Sequence, residues 1–279
     1  MIPKLNFCKN QDKGFTLVEL LVVIAIIALL MAVLLPALNK ARDQANTVKC
    51  ASNLRQFGLM YEMYAQSHNE SMPGGWNSGA MWMVDLMPYY QGVGEVRLCP
   101  KARKFLSSTA DAFAAGVFTA WGKFGEGSWT GYNPAWAKEG LYGSYGINGW
   151  AHNPPDIGLP IGSPDTYNID PPNRPKYWRS MLNVKHSADV PLMADAMWDG
   201  TEPGVEDGPP DWEGEYINTS NMAKFCVPRH NRRTNMLFMD SSVRKVGLRK
   251  LWSLTWHRQW TEKLQVWPQW MKDLPPDGS

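Results

Sequence analysis

The chain has 279 residues, a formal net charge of +2 and 44% hydrophobic residues, which is an ordinary apolar content. So small a charge gives no reason to expect a nucleic-acid partner, and the absence of a visible repeat of 20–50 residues excludes a solenoid. The 14 tryptophans, 24 glycines and 21 prolines predict short strands joined by many turns.

The first element in chain order is a long apolar segment at residues 13–38, with the sequence "KGFTLVELLVVIAIIALLMAVLLPAL". As a helix, its part from Phe15 to Leu35 would be about 32 Å long, which matches a bilayer core of about 30 Å. Three lysines and one aspartate precede Phe15. This positive flank predicts that residues 1–14 stay in the cytoplasm and that the rest of the chain lies outside.

Two common kinds of segment fail to account for this pattern. A secretory signal peptide would have a shorter apolar core and a small-residue cleavage site after it, and neither is visible. A plain membrane anchor explains the length and the basic flank but not Glu19. Because a carboxylate costs roughly 2.5–3.5 kcal/mol at mid-bilayer, Glu19 predicts a partner for its charge.

The same segment resembles the class III signal of type IV prepilins and type II secretion pseudopilins. That signal is a short basic leader ending in Gly, then Phe, then Glu at the fifth mature position, and Gly14, Phe15 and Glu19 occupy these places in order. The resemblance implies that a prepilin peptidase cleaves after Gly14 and N-methylates Phe15. It also implies that Glu19 pairs with the terminal amine of a neighbouring subunit, and that Pro36 kinks or loosens the helix.

The helix is predicted to continue past Pro36 to about Gln66, where "SHNESMPGG" supplies stop and turn signals. An apolar stripe with spacings of four and three residues indicates one buried face, formed by Cys50, Leu54, Phe57, Tyr61 and Tyr64. The predicted domains are a leader (1–14), a transmembrane and assembly helix (15–38), its amphipathic continuation (39–70) and a globular head (71–279).

The predicted fold class is α+β and pilin-like, with the long helix packed on an antiparallel-sheet head that has long loops. The residues at 152–175 are Pro-rich and are predicted to form an ordered surface loop. The best strand candidates are rich in β-branched and apolar residues, and they are "VRLCP" (96–100), "GSYGIN" (143–148), "VPLMAD" (190–195), "NMLFMD" (235–240) and "SVRKVG" (242–247). The last two predict a hairpin that turns at Asp240 and Ser241.

The segments "CASNLRQFGLMYEMYA", "SYGIN" and "RHNRRTNMLFMDSSV" resemble a prepilin-type family marked by an H-x9-D-G motif. His230 and Asp240 have the motif spacing, but Ser241 replaces its glycine, and serine accepts a positive φ less readily. We interpret His230 and Asp240 as a structural hydrogen-bonded pair rather than a metal or acid–base pair. No third catalytic group or nucleophile motif accompanies them, so the chain is predicted not to be an enzyme.

Residues 195–215 contain eight acidic residues and no lysine or arginine. Calcium, which takes six to eight oxygen ligands, is one candidate for neutralising them, with Asp195, Asp199, Glu202, Glu206 and Asp207 as ligands. Major pseudopilins, which the chain resembles, often hold calcium in a C-terminal loop, although no EF-hand spacing is present. A solvated loop and a docking surface for the basic residues at 229–250 of a neighbouring subunit are the alternatives.

Cysteine usage suggests one disulfide. Cys8 lies in the predicted leader, whereas Cys50, Cys99 and Cys226 would face an oxidising envelope. A Cys50–Cys99 disulfide would join the helix to the head and leave Cys226 free.

The tryptophans at 252, 256 and 260 are four residues apart, so on a helix they would share one face. That face could be buried against the head, which is the commoner outcome for tryptophan, or it could bind sugars.

Together these features predict a structural subunit of a type IV pilus-like or type II secretion pseudopilus filament. The implied partners are other copies of the chain, the peptidase, an inner-membrane assembly platform with its ATPase, and membrane lipid before assembly. The chain would be a single-pass inner-membrane protein with its head outside the cytoplasm, and afterwards part of a periplasmic or extracellular filament. The alternative is a membrane-anchored, Trp-rich carbohydrate-binding envelope protein.

Overall fold

Helix α1 is the longest element and spans Leu17–Ser67, so it ends one residue after the predicted Gln66. Pro36 lies inside it, as predicted. Within the part of the chain that the structure describes, α1 is the helix long and apolar enough to cross a membrane. The turn after Ser67 places both Asn69 and Glu70 at positive φ, which agrees with the predicted stop signal.

The structure is a computed structural model that describes residues 16–74, 82–90, 94–105, 116–124, 141–154, 173–216 and 219–274. Its internal contacts divide the chain into two units, Met1–Ala45 and Asn46–Ser279. The second unit contains the last part of α1 and every strand that the structure describes. Most of the predicted surface loop at 152–175 lies outside the described residues.

The described residues form two sheets, and the larger one has five strands in the order β6-β4-β5-β7-β8. These strands are β4 (Tyr145–Asn148), β5 (Pro191–Asp195), β6 (Gly200–Thr201), β7 (Arg233–Phe238) and β8 (Val243–Gly247). The β4–β5, β5–β7 and β7–β8 pairs are antiparallel, while β4–β6 is parallel. The sheet is therefore mainly antiparallel, as the predicted α+β fold requires.

The smaller sheet has three strands in the order β1-β2-β3, with β1–β2 parallel and β2–β3 antiparallel. They are β1 (Lys104–Phe105), β2 (Thr119–Phe124) and β3 (Leu141–Gly143). Three short helices complete the regular α structure of the described residues, namely α2 (Trp82–Asp85), α3 (Met87–Tyr90) and α4 (Gln269–Lys272).

Four of the five strand candidates are confirmed, and "VRLCP" is wrong. Gly94–Arg97 forms a 3-10 helix instead. The backbone of this segment makes hydrogen bonds with Ser144 instead of pairing as a strand. Cys99 N donates to Ser144 Oγ at 2.5 Å, and Ser144 N donates to Arg97 O at 3.0 Å. Pro100 follows and has no N–H to continue a ladder.

The apolar stripe of α1 forms one wall of the core. Cys50, Leu54, Phe57 and Tyr61 are fully buried, and Tyr64 packs against the core while partly exposed. The Phe57 ring lies edge-on to the rings of Trp82, Tyr90 and Tyr145, with centroids 5.2–6.3 Å apart. Such edge-to-face packing favours one arrangement of the helix against the head.

The β7–β8 hairpin turns where predicted, and it tolerates serine in place of glycine. Ser241 adopts φ +62°, the left-handed region that favours glycine. Two contacts hold the turn in this conformation: Ser242 N donates to Asp240 Oδ1 at 3.0 Å, and the Ser241 hydroxyl donates to the Glu62 carboxylate on α1.

The three C-terminal tryptophans do not share one helical face, since the 3-10 helix ends at Ser253. Trp252 and Trp256 are nonetheless buried, and each indole N–H is satisfied by a backbone carbonyl. Trp260 is partly buried against the same core. Their burial favours a packing role over sugar binding.

A buried histidine makes the stability of this fold depend on pH. His152 is 3% exposed, and burial lowers its pKa from 6.5 to about 4. The unfolded chain therefore binds a proton at a pH where the folded chain does not, so stability should fall as the pH drops from about 6.5 towards 4. His152→Gln should remove up to about 3 kcal/mol of that loss, as read from urea unfolding of the full chain in detergent.

The exposed His186 offers a matched control, and His186→Asn suits its left-handed backbone (φ +51°). This variant should keep the wild-type pH profile. Identical profiles for wild type and His152→Gln would contradict the prediction.

Candidate functional site

The N-terminal turn of α1 carries Glu19 in a reciprocal hydrogen-bonded arrangement. Thr16 N and Thr16 Oγ1 both donate to Glu19 Oε2 at 2.8 Å, and Glu19 N donates to Thr16 Oγ1 at 3.2 Å. This is a capping box, for which the sequence "TLVE" is a visible signal that the sequence analysis missed. Gly14 and Phe15 lie outside the described residues, so the predicted cleavage site stays a prediction.

The first half of α1 is apolar on every side and uncovered. Its large hydrophobic side chains between Leu17 and Leu38 are 45–78% exposed. A helix that is apolar all round is stable only where lipid or other protein surrounds it. This segment therefore requires cover from a bilayer, from the same segment of other copies of the chain, or from first one and then the other.

A second polar arrangement lies buried in the head. Cys50 on α1, Cys99 after the 3-10 helix, Asp195 at the end of β5 and His230 in the turn before β7 bring their ligand-type atoms within 4.8 Å of one another. All four residues are buried. Among the described residues, this is the one group of three or more such side chains that could hold a metal ion.

His230 lies at the centre of this cluster. Its Nε2 is 3.0 Å from Asp195 Oδ2 and 3.4 Å from Cys99 Sγ, while its Nδ1 is 3.1 Å from Thr47 Oγ1. Cys50 Sγ lies 3.5 Å from the same Asp195 oxygen. The sulfur, nitrogen and oxygen atoms thus converge on one small volume.

Asp195 is held from its other side by Arg229, and both side chains are fully buried. Arg229 Nη1 is 3.2 Å from Asp195 Oδ1, and the guanidinium also donates to the carbonyls of Ser144 and Ala196. Asn235 N donates to Asp195 Oδ2 at 3.1 Å. These donors fix the carboxylate in one orientation, which a buried charge requires.

The residues of the cluster shift one another's pKa values. Burial opposes ionisation of Asp195, but the charges and hydrogen bonds of His230 and Arg229 outweigh it and hold the carboxyl pKa well below its usual range. Burial also disfavours the His230 cation, yet Asp195 raises the pKa of His230 to about 9. Burial raises the pKa of the Cys50 thiol. Burial would also raise the pKa of Cys99, but its hydrogen bonds with Cys50 and His230 outweigh burial and lower that pKa to about 7.

The predicted pairing of His230 with Asp240 is wrong. His230 contacts Asp195, while Asp240 is exposed and caps the hairpin turn. The six residues of β7 lie between them and span about 20 Å at ~3.3 Å per residue. The motif spacing therefore places one residue at each end of a strand rather than both at one site.

The five candidate calcium ligands do not form one metal-binding group. The charges of Asp199, Glu202 and Asp207 instead act together on the ammonium group of Lys224. Asp195 belongs to the buried cluster, Asp199 is buried elsewhere, and Glu206 pairs with Lys263. Asp207 accepts hydrogen bonds from the backbone N–H groups of Gly204 and Met222. Glu202 likewise stands outside the cluster. The acids are thus distributed among local partners, and a calcium site in this segment is not supported.

The docking alternative is weakened for the same reason. Arg229 is buried, and Arg232 forms an ion pair of 2.9 Å with Glu213 of its own chain.

The three described cysteines are all free thiols. Cys50 and Cys99 do meet, but in the cluster with Asp195 and His230 and without a disulfide bond. Cys226 is equally buried and lies outside the cluster.

Comparisons with known proteins agree with the N-terminal features. Residues 9–35 match the family model described as "Prokaryotic N-terminal methylation motif". The chain is 51% identical over 60 residues to the type IV wide pilus major component PilA4 of Thermus thermophilus, a match that covers 22% of this chain and 46% of that protein. The chain thus spans about half the length of this relative, and no solved structure matches it.

The methylation motif extends into the uncovered apolar half of α1, and the described strands after it form mainly antiparallel sheets, a combination that fits the predicted pilin-like α+β fold. The chain is therefore similar to type IV prepilins in its methylation motif and in the 60 residues that it shares with the Thermus pilin.

Proposed function

We propose that the chain is a structural subunit of a type IV pilus-like or type II secretion pseudopilus filament. The observation that carries this proposal is the methylation-motif match on a helix whose apolar half is uncovered. Before assembly, lipid would cover this half of the helix. In a filament, helices of neighbouring subunits would cover it, and their mutual burial would hold the fibre together.

The partners of such a subunit are a prepilin peptidase, an inner-membrane assembly platform with its ATPase, and further copies of the chain. Cleavage after Gly14 would create a positive amine on Phe15, and Glu19 of another subunit would neutralise it. Shearing of intact cells followed by mass spectrometry of the released fibres tests the proposal. The chain should be recovered in the fibres, with Phe15 as its methylated first residue, and its absence from them would contradict the proposal.

Gly14→Val should leave an uncleaved precursor, because a β-branched side chain next to the scissile bond obstructs a narrow active site at the membrane face. Asn10→Val is the matched control, since it places the same side chain in the leader but away from the bond. N-terminal sequencing of the membrane fraction distinguishes the two. A mature protein that begins at Phe15 in the Gly14→Val variant would show that the leader assignment is wrong.

A further inference from the structure

We propose that Cys50, Cys99, Asp195 and His230 bind one zinc ion in a tetrahedral structural site. The site is independent of the proposed role in filaments, since all four residues belong to the unit Asn46–Ser279. Two thiolates, one imidazole and one carboxylate are ligand types that zinc takes in proteins, and four protein ligands leave no open position for catalysis.

The distances suit a small tetrahedral ion. Zinc bonds of about 2.0–2.3 Å give tetrahedral edges of roughly 3.3–3.8 Å between ligand atoms. Cys99 Sγ and His230 Nε2 are 3.4 Å apart, and Cys50 Sγ and Asp195 Oδ2 are 3.5 Å apart. The shortest edge, 3.0 Å between His230 Nε2 and Asp195 Oδ2, needs an outward shift of only a few tenths of an ångström.

The orientation of His230 favours ligation over a proton relay. In a Cys-His-Asp relay the thiol and the carboxylate face opposite ring nitrogens, whereas here Cys99 and Asp195 both face Nε2. The remaining nitrogen, Nδ1, lies 3.1 Å from the Thr47 hydroxyl. A metal-binding histidine usually donates its other N–H to an oxygen acceptor, and the Thr47 hydroxyl oxygen would serve as that acceptor and hold the ring in one orientation.

The charges also balance when zinc is present. A dication with two thiolates, one carboxylate and a neutral imidazole carries a net charge of −1, and the buried Arg229 guanidinium beside Asp195 brings the sum to zero. Because an uncompensated charge is costly inside a protein, a buried arginine at this position is the counter-charge that such a site requires.

The ligands come from four separate chain segments, so the ion would connect α1 to the sheet. Cys50 lies on the helix and Asp195 ends the central strand β5, while Cys99 follows the 3-10 helix at Gly94–Arg97 and His230 lies in the turn before β7. A zinc ion would thus make the same connection that the sequence analysis assigned to a disulfide. Both cysteines would bind the ion as thiolates instead of bonding to each other.

The first test measures metal in the full-length chain purified in detergent without chelator. Elemental analysis should find about one zinc per chain, and the zinc should return after chelation and dialysis against zinc. Cys50→Ser, Cys99→Ser and Asp195→Asn should each lose most of it. Cys226→Ser is the matched control, because it alters an equally buried thiol outside the cluster, and it should keep the full amount.

The second test uses the wild-type chain, so it does not depend on the folding of variants. Cobalt should replace zinc and show the absorption bands of a tetrahedral thiolate site, and removal of metal should lower the melting temperature. Peptide mapping under non-reducing conditions should find Cys50 and Cys99 unpaired in the metal-loaded protein. A Cys50–Cys99 disulfide, or wild-type chain that binds no more metal than the Cys50→Ser variant, would overturn the proposal.

Discussion

Glu19→Ala should yield a cleaved, membrane-resident protein that fails to enter filaments. The carboxylate lies four residues after the proposed new N-terminus, where it can stay hydrated at the membrane surface before assembly. In a filament it would be dry and would need the amine of another subunit. A loss of about 1.4 kcal/mol at each subunit contact would lower the equilibrium constant for adding a subunit about tenfold. Fibre yield should therefore fall by about tenfold or more. Sheared fibres and membranes, each with N-terminal sequencing, provide the measurement.

Glu19→Gln separates this charge pairing from the capping box found in the structure. Glutamine can replace glutamate at the third position of a capping box, so it keeps the hydrogen bonds with Thr16 while removing the negative charge. Both variants should fail to assemble if the charge matters. Normal fibre yield from Glu19→Gln alone, with loss in Glu19→Ala, would instead assign Glu19 to helix capping.

Arg229→Met should destabilise the head by about 3–5 kcal/mol, the cost of leaving a buried charge without its partner. The substitution keeps most of the side-chain volume but removes the ion pair with Asp195 and the donors to Ser144 O and Ala196 O. This loss is a large share of a typical domain stability of about 5–15 kcal/mol. Urea unfolding of the full chain in detergent, followed by tryptophan fluorescence, measures it.

Arg232→Met is the matched control, three residues further along the chain. Arg232 pairs with Glu213 at 2.9 Å, but both side chains are about 40% exposed (41% and 42%). Exposed pairs contribute about 0–1 kcal/mol, so this variant should unfold close to wild type. Equal losses in the two variants would show that burial of the Arg229–Asp195 pair is not what stabilises the head.

Much of the fold could be predicted from sequence because its signals are local. The apolar run, the stripe from Cys50 to Tyr61 and the strands around Asp195 and Leu237 each follow from the periodicity of a few neighbouring residues. The wrong strand prediction at residues 96–100 has a non-local cause. That segment has the composition of a strand, but its backbone binds the turn at Ser144, nearly fifty residues away in sequence.

The buried cluster could not be predicted, because no short motif joins its members. Cys50 and Asp195 are 145 residues apart, and Cys99 and His230 are 131 apart. Spacing within the sequence instead suggested Asp240 as the partner of His230, although a whole strand separates the two. The acidic composition of 195–215 was similarly misleading, because Asp195 and Asp199 are buried in the core while Glu206 remains at the surface.

The position at which the compact head unit begins, Asn46, has a practical consequence for truncation. A fragment that starts after α1 ends at Ser67 would lose Thr47, Cys50 and the buried rings of Phe57 and Tyr61. It would also uncover Leu237 on β7, which packs against the helix at Gly58. A soluble fragment for crystallisation or NMR should therefore start no later than Asn46, so that the sheet keeps its helical cover and the membrane segment is left out.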